Sequence, residues 1–216
     1  MYSQECRRHP SLISNSRAQK KQQDILNVAQ QLFLKRGYDA VSLDDILEGV
    51  GGSKTTLYSY YGGKEGLFAA TVEKTCHDKL GPLLAMDLTD LDPKTALNTI
   101  GRQFLAIMSD PEGRAFFRSM ISEAQRFPEL ASRFFASGPE VMIRLLRRNI
   151  EQWQKKGLLR SGNPEMLAGQ FLGLMMGNYH LKSLLNLMDP LTEKQIKTWV
   201  ARGTEIFLEG AMARVE

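Results

Sequence analysis

Cysteine, histidine and unbroken apolar runs are all scarce in this sequence, and each scarcity closes off a class of function. The two cysteines, Cys6 and Cys76, lie on dissimilar segments with no CxxC spacing and no histidine pairing beside them. Both read as reduced thiols of a cytoplasmic protein, with redox sensing the alternative, since only Lys74 and Lys79 stand near enough to Cys76 to lower its pKa. The three histidines, His9, His77 and His180, are isolated from one another, and no Cys, His or carboxylate stands at ligand spacing from His180, so no metal site is expected. Ser, His and acid residues form no nucleophile elbow, and the expectation is a protein with no catalytic residues and no cofactor. The longest apolar region, Met166 to Met188, is broken by Gln170, Asn178, His180, Lys182 and Asn186, which leaves it short of a membrane span. The first residues, MYSQECRRHPSLISNSRAQKK, lack the apolar run of a secretory signal, so no membrane partner is expected. One-signed charge is also missing: the formal balance is only +4, and a case for nucleic acid has to rest on local arrangement rather than on the summed field.

What is present is an ordinary globular balance, 43% hydrophobic and 24% charged over 216 residues, enough for one domain or two small ones. Residues 1–18 are polar, basic and aperiodic and read as a mobile arm. From Gln22 the spacing of Ile25, Ala29, Leu32 and Phe33 predicts a helix that stops at Gly37. Ser42 followed by Asp45 is a capping signature for a second helix, which ends at Gly51-Gly52. Ser53 caps a third of barely two turns, with Leu57 and Tyr61 as its inward pair, and Gly62-Gly63 closes it. A fourth runs from Lys64 to Gly81-Pro82. Asp92-Pro93, Asp110-Pro111, Phe127-Pro128, Gly138-Pro139 and Asn163-Pro164 then mark further helix starts. No stretch alternates with period two, so the fold class expected is all-α, with residues 19–66 as a three-helix unit and residues 67–216 as a second helical domain.

The stretch GVGGSKTTLYSYYGGKEG, from Gly49 to Gly66, admits two readings. A phosphate-binding loop aligned on Lys54-Thr55 needs glycine at positions 48 and 53, where the chain has Glu48 and Ser53, and it needs a preceding strand where the spacing is helical. Two short helices joined by Val50-Gly51-Gly52-Ser53 instead match a helix-turn-helix, whose second helix enters the major groove. That helix is about 12 Å long, and the groove is about 12 Å wide. With Leu57 and Tyr61 inward, Lys54, Thr55, Thr56, Ser59 and Tyr60 face outward or sideways and can meet base edges. Lys64 stands at the positive start of the next helix, where a phosphate is favoured. A merely solvated polar helix remains the alternative on spacing alone.

The run ILNVAQQLFLKRGYDAVSLDDILEGVGGSKTTLYSYYGGKEGLFAATVEK resembles the DNA-binding domain of the TetR (AcrR-like) family of bacterial one-component transcriptional regulators. The resemblance rests on the "A..LF...G", "S.DDI....G", "SK.TLY.Y" and "KE.LF" pieces. Through FFRSMISEAQRFPELASRFF and LLRRNIEQWQKKGLLR.GNPE.LA..FLGL the remainder is similar to the branch called AefR-like. The resemblance implies base contacts from Lys54, Thr55 and Thr56, with Ser59 beside them. It implies phosphate contacts from Ser42, Tyr58, Tyr60 and Lys64, with Arg17, Lys20 or Lys21 reaching the backbone or minor groove. It also implies a homodimer on an imperfect palindrome of double-stranded DNA and a small-molecule effector that releases it. Gly52 and Gly63 depart from the family, which usually has an apolar residue at the first and Ser or Asn at the second, and the expected consequence is a looser turn. An all-helical carrier or enzyme without DNA binding is the alternative function.

In the second domain Phe104, Met108, Phe116, Met120, Trp153 and Met175, with Glu123, Tyr179 and His180 as orienting polar groups, are candidates for an adaptable effector pocket. Gly169, Gly173 and Gly177 recur every four residues, a stripe that suits close helix approach either inside one subunit or between two. With Trp199 they are the candidates for a dimer interface.

Overall fold

The computed structural model describes residues 10–88 and 90–211. Among these residues there are ten α-helices and no strand, and the chain divides into two compact units between Val72 and Glu73.

The first unit contains α1 (Pro10–Arg36), α2 (Leu43–Val50), α3 (Lys54–Tyr61) and the opening turns of α4 (Lys64–Leu84). Its core is made by Ile25, Ala29 and Phe33 of α1, Ile46 of α2, Leu57 of α3 and Leu67, Phe68 and Val72 of α4, all buried. Tyr38, in the α1–α2 connection, packs its ring 4.9 Å from Phe68, which lies 4.9 Å from Phe33. Helix α1 starts at Pro10, well before the Gln22 expected, so residues 10–18 belong to a helix and not to an arm. Arg17 through Lys20 are exposed. Leu12 and Ile13 are the only large apolar residues of 10–18, too few to set a helical period, and the good helix formers Arg17 to Gln23 follow directly. The rest of the expected arm, residues 1–9 with Cys6 and His9, lies outside the described residues.

The second unit contains the rest of α4 with α5 (Pro93–Ser109), α6 (Pro111–Glu123), α7 (Pro128–Ser137), α8 (Pro139–Lys155), α9 (Pro164–Leu184) and α10 (Glu193–Ala211). Its core joins Leu80 and Leu83 of α4, Leu97 and Ile100 of α5, Leu146, Ile150 and Trp153 of α8, Phe171 and Met175 of α9, and Val200 and Phe207 of α10. Helices α5 and α6 begin as the Asp-Pro pairs predict, with Asp92 accepting the Thr95 N–H at 3.0 Å and Asp110 accepting that of Gly113 at 2.9 Å. Helix α4 continues through Pro82 to Leu84 rather than stopping there. Helix α9 is broken at Gly177 (φ 43°, ψ −153°), a conformation reserved for glycine. None of the described helices is long and apolar enough to cross a membrane.

Candidate nucleic-acid interface

Helices α2 and α3 are built from local caps. The Ser42 hydroxyl accepts the Asp45 N–H at 3.1 Å while the Asp45 carboxylate takes the Ser42 N–H at 2.7 Å and also its hydroxyl, a complete capping box. Hydrogen bonds from the Ser42 hydroxyl and N–H, reinforced by Arg36, hold the Asp45 carboxyl below the ordinary carboxylate range. Ser53 does the same for α3, its hydroxyl accepting the Thr56 N–H at 3.2 Å. Between the helices Gly51 (φ 66°) and Gly52 (φ 108°) make the turn, and Gly62 (φ 72°) and Gly63 (φ 129°) end α3. All four angles favour glycine, so a side chain at Gly52 or Gly63 would be strained.

The candidate contact residues of α3 differ in how committed they already are. Thr55 and Ser59 are exposed, and the Ser59 hydroxyl donates back to the Thr56 carbonyl at 2.7 Å. Thr56 is half-buried, with its hydroxyl 3.0 Å from that of Ser53. Lys54 pairs with Asp44 at 2.9 Å, and both side chains are largely exposed, so the pair is worth little and is easily exchanged for a phosphate or base. Tyr58 is 54% exposed, while Tyr60 is half-buried and edge-on to Tyr61. The Lys64 ammonium rests over the Tyr38 ring, 4.2 Å from its centre.

Among the α1 cations the structure separates one from two. Arg17 and Lys20 are exposed. Lys21 is half-buried and its ammonium donates to the Val50 carbonyl at 2.6 Å, so it is engaged inside the unit. Tyr61, expected to be a buried partner of Leu57, keeps its ring half-buried and donates its hydroxyl to the Gln22 carbonyl at 2.8 Å. Burial pushes its pKa up to about 12. No sequence signal marked either contact, because both join residues far apart in the chain.

In the second unit the effector candidates separate into core and non-core. Trp153 and Met175 are buried in the main cluster, and Met175 is wedged where a side chain on Gly101 or Gly203 would stand. Tyr179 is buried as well, its hydroxyl 2.9 Å from that of Ser109, which also accepts the Leu191 N–H at 2.6 Å. Phe116 and Met120 are buried on α6, while Phe104, Met108, Glu123 and His180 are half-buried. Phe116 and Phe117 both meet the Phe134 ring edge-on, and Phe117 meets His180 at 4.9 Å. Burial lowers the His180 pKa, which favours the neutral imidazole. Two surface grooves, of about 510 and 450 Å³, lie elsewhere. Asp92, Leu158, Glu205 and Leu208 line the first, and Gln170, Gly173, Leu174 and Ile206 the second. Cys76 is buried, and burial raises its thiol pKa, which disfavours the reactive thiolate.

The glycine stripe of α9 also divides. Gly177 sits against Trp199 of the same chain, whose indole N–H donates to the Leu174 carbonyl at 3.4 Å beside the helix break. Gly169 and Gly173 are exposed and a side chain at either would meet nothing. Leu174 of α9 and Ile206 of α10, which line the second groove with Gly173, are exposed, as is Met166 of α9.

Residues 95–210 match the sequence model described as "AefR-like transcriptional repressor, C-terminal domain", and residues 25–71 match that of "Bacterial regulatory proteins, tetR family". The chain belongs to the TetR family. TetR-family proteins are DNA-binding transcriptional regulators and not enzymes, and the chain is accordingly a transcriptional regulator with an N-terminal helix-turn-helix domain. Among solved TetR-family structures it is similar to the flavonoid-responsive regulator FrrA, with 35% identity and a TM-score of 0.78 over 91% of this chain and 99% of that one. It is 24% identical to the HTH-type transcriptional regulator YvkB of Bacillus subtilis (strain 168), over 88% of this chain and 96% of that protein. Against the HTH-type transcriptional repressor ComR of Escherichia coli (strain K12) identity rises to 43%, but over 49 residues, 23% of each chain.

Proposed function

We propose that the protein is a homodimeric repressor that binds an imperfect palindrome of double-stranded DNA in the bacterial cytoplasm and is released by a small, largely hydrophobic effector. The observation that carries the reading is α3 itself: an eight-residue helix bounded by glycine turns, with one buried side chain and hydrogen-bonding groups elsewhere. Lys54, Thr55, Thr56 and Ser59 meet base edges, and Ser42, Tyr58, Tyr60, Lys64, Arg17 and Lys20 hold phosphates. Two copies meet through the exposed apolar face of α9 and α10 around Gly169 and Gly173, which spaces two reading heads over two half-sites.

The effector binds beside the aromatic group of Phe116, Phe117, Phe134 and His180, with Phe104, Met108, Met120 and Glu123 from α5 and α6 completing the site. The 35% identity to a flavonoid-responsive protein supports flat, aromatic, hydroxylated compounds as the first class to try. Helix α4 begins in the first unit and ends in the second. Lys79 of α4 pairs with Asp110 at the start of α6 (2.9 Å), and Glu73 of α4 with Arg133 of α7 (3.5 Å). A shift of α6 or α7 on effector binding is therefore felt by α4, and losing simultaneous engagement of both half-sites releases DNA without altering any single contact.

Fluorescence anisotropy with the palindromes beside the protein's own gene, across a salt series, tests the reading. The expected result is an operator bound roughly 10³-fold or more above random duplex, with affinity falling linearly in log salt and dropping when a flavonoid is added. A protein that prefers no palindrome over random DNA is not an operator-binding repressor.

A further inference from the structure

We propose that Lys21 and Tyr61 are positioning residues that tie to α1 the end of α2, just before the turn, and the C-terminal end of the reading helix, and that Lys21 is not a phosphate contact. The inference rests on the DNA-binding reading above and removes one cation from the DNA-facing set.

Helix α3 has little of its own to set its angle. It is eight residues long, and Leu57 is its one buried residue. A single buried side chain fixes depth but leaves rotation about that point weakly held, and a helix this short has no independent stability. Its setting must therefore come from anchors on either side of it in the chain, and consecutive α1 residues supply them. The Lys21 ammonium donates to the carbonyl of Val50, the last residue of α2, at 2.6 Å. That carbonyl is among those a helix C-terminus leaves without a partner, and a cation is favoured there by the helix dipole. One residue along, the Gln22 carbonyl accepts the hydroxyl of Tyr61, the last residue of α3, at 2.8 Å. The chain is thus held where it enters the turn and where it leaves α3.

The same geometry accounts for Gly52. A Cβ at this position would lie 3.3 Å from Lys21 Cε and 3.5 Å from Nζ, and the backbone stands at φ 108°. The stem of Lys21 therefore occupies space that a side chain at 52 would claim. Glycine at 52 and lysine at 21 form one device in this chain. Arg17 and Lys20, on the same helix, are exposed and remain available to DNA.

Base readout depends on angle, so releasing the clamp lowers discrimination between sequences, whereas removing a phosphate contact weakens all sequences alike. The test uses the full chain and the variants Lys21→Met, Lys20→Met, Tyr61→Phe and Lys21→Arg. Two readouts are taken: anisotropy on operator and random duplex over a salt series, and amide hydrogen exchange of residues 51–56 in the free protein.

Lys21→Met is expected to lower the operator-to-random affinity ratio about tenfold, to leave the salt slope unchanged and to speed exchange of those amides, and Tyr61→Phe to act in the same sense. Lys20→Met is expected to do the reverse, reducing the slope by about 0.9 while keeping the ratio. A Lys21→Met protein with the slope reduced and the ratio kept overturns the proposal, as does one with ratio, slope and exchange all unchanged. Should Lys21→Met fail to fold, Lys21→Arg decides: a phosphate contact survives the change, whereas a planar guanidinium does not reproduce the ammonium packed against Gly52, and the ratio falls. If the unaltered protein discriminates no DNA, the repressor reading is lost, while hydrogen exchange still decides whether the clamp exists.

Discussion

The two units of this chain are held together by different physics. In the first, the short helices α2 and α3 are fixed by named polar contacts and by glycines at positive φ, and each has one buried residue. In the second, long helices share an apolar cluster drawn from α4, α5, α8, α9 and α10. Short helices that leave their polar groups free to meet DNA can bury few of them, so α2 and α3 add caps and turns to the one buried residue that each gives to the unit's core. The second unit, built round a shared apolar cluster, has no such restriction. The first unit should therefore be sensitive to single hydrogen bonds and backbone angles, and the second to volume.

The sharpest break between them is Phe171→Ala. Phe171 is fully buried in the second unit's cluster, and its truncation should cost about 3–5 kcal/mol by denaturant unfolding. DNA binding by whatever protein remains folded should keep its sequence preference. In the first unit the backbone itself is the test: Gly62→Ala meets no neighbouring atom, but at φ 72° it should cost about 1–2 kcal/mol. A neutral result in thermal melts would mean that α3's end relaxes without cost. Ser42→Ala removes the capping box of α2 and should cost about 1 kcal/mol, measured in the same melts.

Gly173→Ala inverts the expectation. With nothing within reach of its Cβ, alanine should stabilise α9 by up to about 1 kcal/mol, yet if two copies pack on this face, sedimentation should show weaker dimerisation. Gains in both would move the subunit contact elsewhere. The smallest effect is alkaline. The folded state favours the neutral Tyr61 phenol, pushed up to about 12 by burial. The stability tied to it is complete below the ordinary tyrosine value near 10 and is lost as pH rises through about 12. Tyr61→Phe should remove that part of the alkaline loss.

Legibility followed the range of the interaction. The Ser42–Asp45 box, the Ser53 cap and the Asp92 and Asp110 caps all close within four residues, and each was readable from residue type and spacing. The start of α1 was not, because too few large apolar residues stand there to set a period. Trp153 and Met175 could not be told from pocket residues, since a large apolar side chain at helical spacing serves core and cavity equally. Gly177 read as one member of a stripe, whereas its φ of 43° makes it the break in α9 beside Trp199.

By itself, then, the sequence determined the helix content, most of the helix starts, the pair of glycine turns around Lys54–Tyr61 and the family resemblance, because capping and turn chemistry act between near neighbours. Only the tertiary structure decided that Lys21 caps α2 rather than standing free, that Tyr61 ties α3 to α1, and which of the aromatic and methionine residues are core. Those outcomes depend on contacts between residues distant in the chain, where shape and distance rather than residue type select the partner.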